Sequence, residues 1–345
     1  MPERRPRVLL ASGPVGTITP RQSAVALARG FAAAADVAVI GLADGGRPLG
    51  EALAEPDGEL ETLRASWLVR RDDLVAVGAD PAPAADPLGG SSADLGRLVG
   101  YAVQGTPPAT LAIDLTGADV HDAGAGLLGA LGAVADVRLD AGPEPLAELT
   151  RLSLDAVRAR LDGCDLVGLV PAGQEGDLLL GLRGITSRRG RGLGTPAERM
   201  LALDAALERF ASAAAGPVAQ APGAGASGGL GFAILALGGR LATPAAFCAE
   251  ASGLDRPLVA ADLVVTACDS FDFGSRGGGV VTELARRCEA AQTPLVVVSP
   301  VVGMSGREMR VMGVESAHPL ETGPDTAAAL TATGRRLAAG WTPRW

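Results

Sequence analysis

The sequence predicts an α/β protein of two domains, one of which is assembled from both ends of the chain. Three observations carry this expectation. The chain has 345 residues and 48% hydrophobic content, enough for two separate cores. Aromatics make up only 3%, so the cores must be built from Val, Leu, Ile and Ala, as in buried parallel strands covered by small-residue helices. Short apolar runs alternate with helical stretches at both ends, the pattern of βαβ units.

The elements follow in order. Residues 8–11 form a first buried strand, a loop with Gly13, Pro14 and Gly16 follows, and 20–35 form an Ala-rich helix. Residues 37–42 give a second strand ending in Asp44, Gly45 and Gly46, which completes a βαβ opening with ligands expected near the strand C-termini. The stretch 53–77 alternates weakly and is read as an antiparallel hairpin, with 78–87, rich in Ala, Asp and Pro, as a crossing segment. A helix over 93–103, a strand over 110–113 and a helix over 124–133 come next; 134–200 alternate strands with charged turns. Residues 201–215 form a helix with Leu201, Leu203, Ala206, Leu207 and Phe210 on one face. A glycine-rich run over 223–231 opens a helix over 232–237. Strands at 263–266 and 295–298, with helices at 281–290 and 327–339, return to βαβ units. The two ends therefore share one parallel sheet, residues 1–50 and 225–345. A second α/β domain, 51–224, is inserted between them, and a cleft between domains is the default ligand site.

Charge and composition exclude several functions. The net charge of −9 opposes general nucleic-acid binding, because backbone phosphates repel an acidic chain. No apolar run is long and clean enough to span a bilayer. Cys164, Cys248, Cys268 and Cys288 form no CxxC pair and are expected as reduced thiols in a cytoplasmic protein. With only His121 and His318 besides, a zinc site is not expected. The chain contains no lysine and no asparagine, so every point charge offered to a phosphate must come from arginine.

Three segments have chemistry suited to anions. The run 223–231, with Gly223, Gly225 and Gly228, exposes backbone N–H groups ahead of a helix; close packing that demands small side chains explains it equally well. Asp269 and Asp272 precede Arg276 and a glycine run, an arrangement that can hold Mg²⁺ against a phosphate, or simply a polar loop with an Asp cap. Arg183, Arg188, Arg189 and Arg191 lie in one stretch that can clamp a carboxylate, or form a solvated loop.

Taken together, these segments resemble the bacterial glycerate kinases in order along nearly the whole chain. Residues 11–20 look like that family's APDSFKGSLSA segment, and 42–46, Leu-Ala-Asp-Gly-Gly, resemble LADGGEGT. Residues 91–96 resemble the start of STYGxGELI, 116–132 resemble GGSATNDGGxGMLQALG, and 179–184 resemble PLLGPRG. Residues 223–231 match GAGAAGGLG, and 261–266 match ADLVITGEG up to its threonine. The resemblance implies a two-domain glycerate-kinase-type fold and, where the chemistry is kept, ATP and Mg²⁺ as cofactors with a glycerate-like acid as substrate. It places Asp122 and Asp272 as catalytic candidates, while Asp269 and Asp272 are the metal-ligand candidates from the loop itself. Asp44, Gly45, Gly46, Arg47, His121, Arg183, Gly223, Gly225, Gly228 and Arg276 fall at substrate or phosphate positions.

The departures from the family pattern are systematic. Its first-loop Asp is Gly13, its Lys is absent, and the Glu of LADGGEGT is Arg47. The Asn of TNDGG is His121; in TGEGRxDxQ the Glu is Cys268 and the Arg is Ser270. Asp44, Asp122 and Asp272 stay in register. Phosphoryl transfer rests on positioning and charge neutralisation, so these losses point to a small-anion-binding or regulatory descendant with impaired or lost transfer. An active ATP-dependent glycerate kinase with Arg in place of Lys remains the alternative, and a new role for Cys268 or His121 is a third reading. A partner protein or a homodimer is left open.

Overall fold

The structure, a computed structural model, describes residues 4–80, 85–321 and 323–341. By internal contacts the chain divides into two compact units. The first holds the residues up to Asp44, Glu51–Glu55 and those from Pro244 on; the second holds Gly45–Gly50 and Pro56–Thr243.

The first unit is built on a five-stranded sheet with every neighbour parallel. Its order is Ser316–Pro319, Leu295–Ser299, Leu263–Ala267, Arg7–Ser12, Asp36–Gly41. Leu295–Ser299 and Leu263–Ala267 are buried at every residue, which is why these strands read as unbroken apolar runs rather than alternating ones. The helix Pro20–Phe31 starts with a capping box: Thr19 Oγ1 accepts from Gln22 N, and Gln22 Oε1 accepts from Thr19 N. It ends at Phe31, short of the expected residue 35, where the chain turns to enter the next strand. Val8, Leu10, Leu27, Phe31, Val265, Val296 and Leu330 share one core.

Pro20–Phe31 and the last helix, Thr326–Trp341, approach backbone to backbone. A Cβ on Gly30 would lie 2.5 Å from Arg335 N and 2.6 Å from Gly334 C. Glycine at 30 is therefore a packing requirement.

The second unit carries a six-stranded mixed sheet in the order Arg240–Ala242, Asp165–Leu169, Thr110–Asp114, Leu74–Ala79, Ser66–Arg71, Glu59–Leu63. The first four run parallel and the last two pairings are antiparallel. The expected hairpin is thus a three-stranded meander. Part of the expected crossing segment, residues 81–84, lies outside the described residues. Helices Ala93–Ala102, Ala125–Leu131 and Ala197–Ala215 stand close to their expected positions, but Leu201, expected on the apolar face of the last, is exposed while Leu203, Ala206, Leu207 and Phe210 are buried.

The glycine-rich run differs from expectation in two ways. Its helix, Ala226–Ala236, begins earlier and is broken by left-handed residues at Ser227, Gly228 and Gly229. It also belongs to the second unit, so the division falls at 243/244 and not at 224/225. The reason is that Arg240–Ala242 pairs with Asp165–Leu169, while Phe232 sits edge-on to Phe210 with ring centroids 6.2 Å apart.

The glycine at the helix crossing yields a stability prediction. Gly30→Ala drives a methyl into the facing backbone and should cost about 1–3 kcal/mol, read as a lowered Tm. Gly306→Ala, where a Cβ meets nothing within 4 Å, should change stability by no more than about 0.5 kcal/mol.

Candidate functional site

The sequence candidates separate between the two units. Asp44, Asp269, Asp272 and Arg276 lie in the first; Gly45, Gly46, Arg47, His121, Asp122, Arg183, Gly223, Gly225 and Gly228 lie in the second.

In the first unit, successive strands spread in opposite directions from Arg7–Ser12 and Leu263–Ala267. This is the switch point at which open parallel sheets leave a crevice beyond their C-terminal ends. Ser12 ties the two strand ends together: its Oγ lies 2.8 Å from Ser23 Oγ and accepts from Ala267 N at 3.1 Å. Asp269 Oδ1 accepts from Gly16 N at 2.7 Å and holds the first loop against the loop after the central strand. Asp44 Oδ2 accepts from Gly279 N at 2.9 Å, so a carboxylate occupies the start of helix Gly278–Ala291. Burial pushes the Asp44 carboxyl up to about 6, against the N–H groups of Gly279 and Val280 that pull it down. The residue as a whole is nonetheless exposed.

Asp272 serves its own turn. Oδ2 accepts from Ser270 Oγ at 2.6 Å, and Oδ1 accepts from Gly274 N and Ser275 N at 2.9 and 2.8 Å. The Ser270 hydroxyl and these N–H groups hold its carboxyl down at about 2. Arg276 has a left-handed φ of 50° and lies 5.8 Å from the ring centroid of exposed Phe273. Cys268 is buried, and desolvation pushes its thiol up to about 11, far from a reactive thiolate.

These residues are a thin donor set for a metal ion. Among the described residues no three His, Cys, Asp or Glu side chains come together as a metal-binding group. Asp272 spends both oxygens on its turn, and Asp269 spends one on Gly16. A protein cage for Mg²⁺ does not fit this set. An ion brought in on nucleotide phosphates needs fewer protein ligands, and the second oxygen of exposed Asp269 suits that use.

In the second unit, Asp122 is fully buried. Oδ2 accepts from Ser92 N, Ser92 Oγ and Gly126 N at 2.7, 2.9 and 3.0 Å, and Oδ1 accepts from Gly124 N at 3.0 Å. Burial raises its pKa while the Ser92, Gly126 and Gly124 donors oppose the rise. The side chain thereby joins the starts of helices Ala93–Ala102 and Ala125–Leu131, whose orphan N–H groups need an acceptor. Asp114, which the sequence reading passed over, does the same for the Asp-Gly-Gly turn. It accepts from Gly46 N at 2.7 Å and from Thr116 N and Oγ1 at 2.9 and 2.7 Å. Arg47 is paired with Asp80 at 3.0 Å.

The glycine-rich run is explained by close packing. A Cβ on Gly228 would collide with the Val120 carbonyl, one on Gly225 with the Leu178 carbonyl, and one on Gly223 with the Leu241 side chain. Several N–H groups expected to face an anion are spent internally: Gly225 N on Asp177 O, Ser227 N on Gln174 Oε1, Gly229 N on Gly225 O. The arginine cluster is also largely engaged. Arg188 is paired with Asp177, and Arg189 with Asp119 and the Val120 carbonyl. Arg183 is exposed and makes no ion pair among the described residues.

His121 is fully buried; its Nε2 lies 2.9 Å from Thr186 Oγ1, and its Nδ1 has no partner among the described residues. Desolvation, reinforced by Arg189, pushes its pKa down to about 4. A pH prediction follows from this burial. In the unfolded chain the imidazole takes up its proton near 6.5, in the fold only near 4. The stability tied to neutral His121 is therefore complete above about pH 6.5 and drains away toward pH 4, by about 3 kcal/mol. The difference in unfolding free energy between the wild type and His121→Gln should shrink over that window in urea titrations. A pH-independent difference would refute the assignment.

Comparison with known proteins gives these features a setting. The model of the glycerate kinase family matches residues 15–341. An uncharacterized protein of Mycobacterium bovis is 30% identical over 244 residues, which cover 71% of this chain and 58% of that protein. The chain thus accounts for less than two thirds of that relative's length. A Bacillus cereus protein named glycerate kinase is 26% identical over 259 residues, 71% of this chain and 66% of its own. A crystal structure of a protein described as glycerate kinase 2, from Salmonella typhimurium LT2, aligns with a TM-score of 0.82. The alignment covers 98% of both chains at 22% identity, a likeness of fold. Among the described residues no helix is long and apolar enough to cross a membrane. With its family match running from residue 15 to residue 341, this chain belongs to the glycerate kinase family.

Proposed function

We propose that the chain is a glycerate-kinase-like protein that binds a small anionic acid and a nucleotide, with phosphoryl transfer impaired or lost. The observation that carries this reading is the commitment of Asp122. A general base must reach the proton it removes. Asp122 is shut away from solvent with four donors on its two oxygens, an arrangement suited to holding two helices. The lysines that the family pattern supplies are missing from the sequence, and Arg47, Arg188 and Arg189 are paired with aspartates. Removing one transition-state charge contact costs on the order of 10²–10³ in rate.

One observation favours the alternative, an active ATP-dependent kinase converting D-glycerate to 2-phosphoglycerate. Arg183 and Arg276 are exposed cations that make no ion pair among the described residues, so they are available to phosphate oxygens. In that reading Mg²⁺ would supply charge neutralisation, and Asp269 would offer it an oxygen.

The experiment is ATP-dependent phosphate transfer to D-glycerate with Mg²⁺, run beside Asp272→Ala. The proposal expects no turnover above background, with ATP or D-glycerate raising Tm by selective binding to the folded state. Robust turnover abolished by Asp272→Ala would establish the kinase instead. Asp122→Ala gives a second prediction: it strands buried donors and should lower stability by about 3 kcal/mol or more, read by denaturant titration. A fully stable Asp122→Ala protein would remove the observation on which the proposal rests.

A further inference from the structure

Three buried polar atoms in the second unit, Trp67 Nε1, His121 Nδ1 and Ser227 Oγ, have no partner among the described residues, and two of them lie on adjoining segments. These two are His121 Nδ1 and Ser227 Oγ. His121 is 0% exposed and Ser227 7%. Their segments are in direct contact: Gly228 packs under the Val120 carbonyl, and Gly228 O accepts from Ala123 N at 3.2 Å. Leaving such a group unpaired costs about 1–3 kcal/mol, so two together on one seam point to something that pairs with them.

The hydrogen-bond pattern fixes what they offer. Thr186 Oγ1 is buried, and its partner is His121 Nε2 at 2.9 Å. Were Nε2 the protonated nitrogen, the Thr186 hydroxyl hydrogen would be left without an acceptor. Nε2 therefore accepts from Thr186, and Nδ1 carries the proton. Burial keeps the ring neutral, so Nδ1–H is a donor without charge. Ser227 offers a hydroxyl, and its backbone is held in a left-handed φ of 49° with N–H donating to Gln174 Oε1 at 2.9 Å. A non-glycine residue in that conformation stores strain that the surrounding contacts must sustain.

We propose that His121 Nδ1–H and Ser227 Oγ–H form a donor pair that receives the carboxylate of a small hydroxy acid. This rests on the acid-binding reading above and adds the subsite and its recognition chemistry. The nearby ionic groups argue for a carboxylate over a phosphate. Arg189 is already balanced by Asp119, and Arg199 by Asp86, so the cluster supplies neutral donors but no uncommitted cation. A singly charged carboxylate is served by two such donors; a phosphate dianion needs cations. Arg189 is 21% exposed at its side chain, so the cluster lies close beneath the surface. Gln174 and Thr186 act as positioning residues, the first through the Ser227 backbone and the second through the imidazole tautomer.

The test uses the full chain and D-glycerate as the probe. The chain has two histidines, His121 and His318, so long-range ¹H–¹⁵N spectra of the imidazoles can be assigned with one variant. The expected result is a neutral His121 with the proton on Nδ1, whose ¹⁵N resonance moves on titration with D-glycerate. Calorimetry should show at least tenfold weaker binding in Ser227→Gly, which removes the hydroxyl while relieving the left-handed strain. His121→Asn should retain part of the affinity through its amide donor. Binding that leaves the Nδ1 resonance unmoved, with wild-type affinity in Ser227→Gly, would overturn the subsite and spare the acid-binding reading. An Nε2-protonated tautomer would also overturn it. No binding of D-glycerate to the wild type would overturn both.

Discussion

The second unit depends on a contact between two stretches of backbone. Gly228 lies against the Val120 carbonyl, closer than any side chain would permit, and Gly225 lies against that of Leu178. This approach locks the broken helix Ala226–Ala236 onto the turn that holds His121 and Asp122. It also sets Ser227 beside that turn in its left-handed conformation. Without the glycines the polar side chains here would have no common meeting place. The same device recurs in the first unit, where Gly30 and Gly334 let two helices touch through their backbones. In a chain with 48 glycines and few aromatics, close backbone approach takes over part of the role that large side chains have in other cores.

Electrostatics then follows from what this packing encloses. The carboxylates of Asp114 and Asp122 are acceptors for helix and turn N–H groups, and Asp44 is an acceptor at a helix start. Many of the arginines are turned toward aspartates within their own unit. The ionic groups thus serve mainly to satisfy the fold. Arg183, Arg276 and Asp269 are among the exposed groups with capacity left for a ligand.

Much of this was legible in the sequence. The buried strands showed as unbroken runs such as Leu-Val-Val-Val at 295–298, and the helix from 201 as a periodic apolar face. The motif order gave the family and the two-domain layout. The boundary at 243/244 was not legible, because strand Arg240–Ala242 is three residues long and declares itself only through its partner Asp165–Leu169. Nor were the pairings of the site. Sequence places Asp122 in a motif without revealing that Ser92, thirty residues earlier, shares its oxygens. Ser227 lies within the glycine-rich run and Thr186 between Arg183 and Arg188, yet their roles depend on burial that neighbouring letters do not encode.

The Asp122 cap bears on what a family motif records. Its carboxylate, its glycines and the serine that shares it form a closed hydrogen-bonded circuit joining two helices. Such a circuit answers to selection for folding, whatever becomes of the reaction. A pattern written by that circuit records how the chain folds and leaves the reaction unspecified. Relatives that share this segment are thereby tied by architecture, and their reactions have to be established one protein at a time.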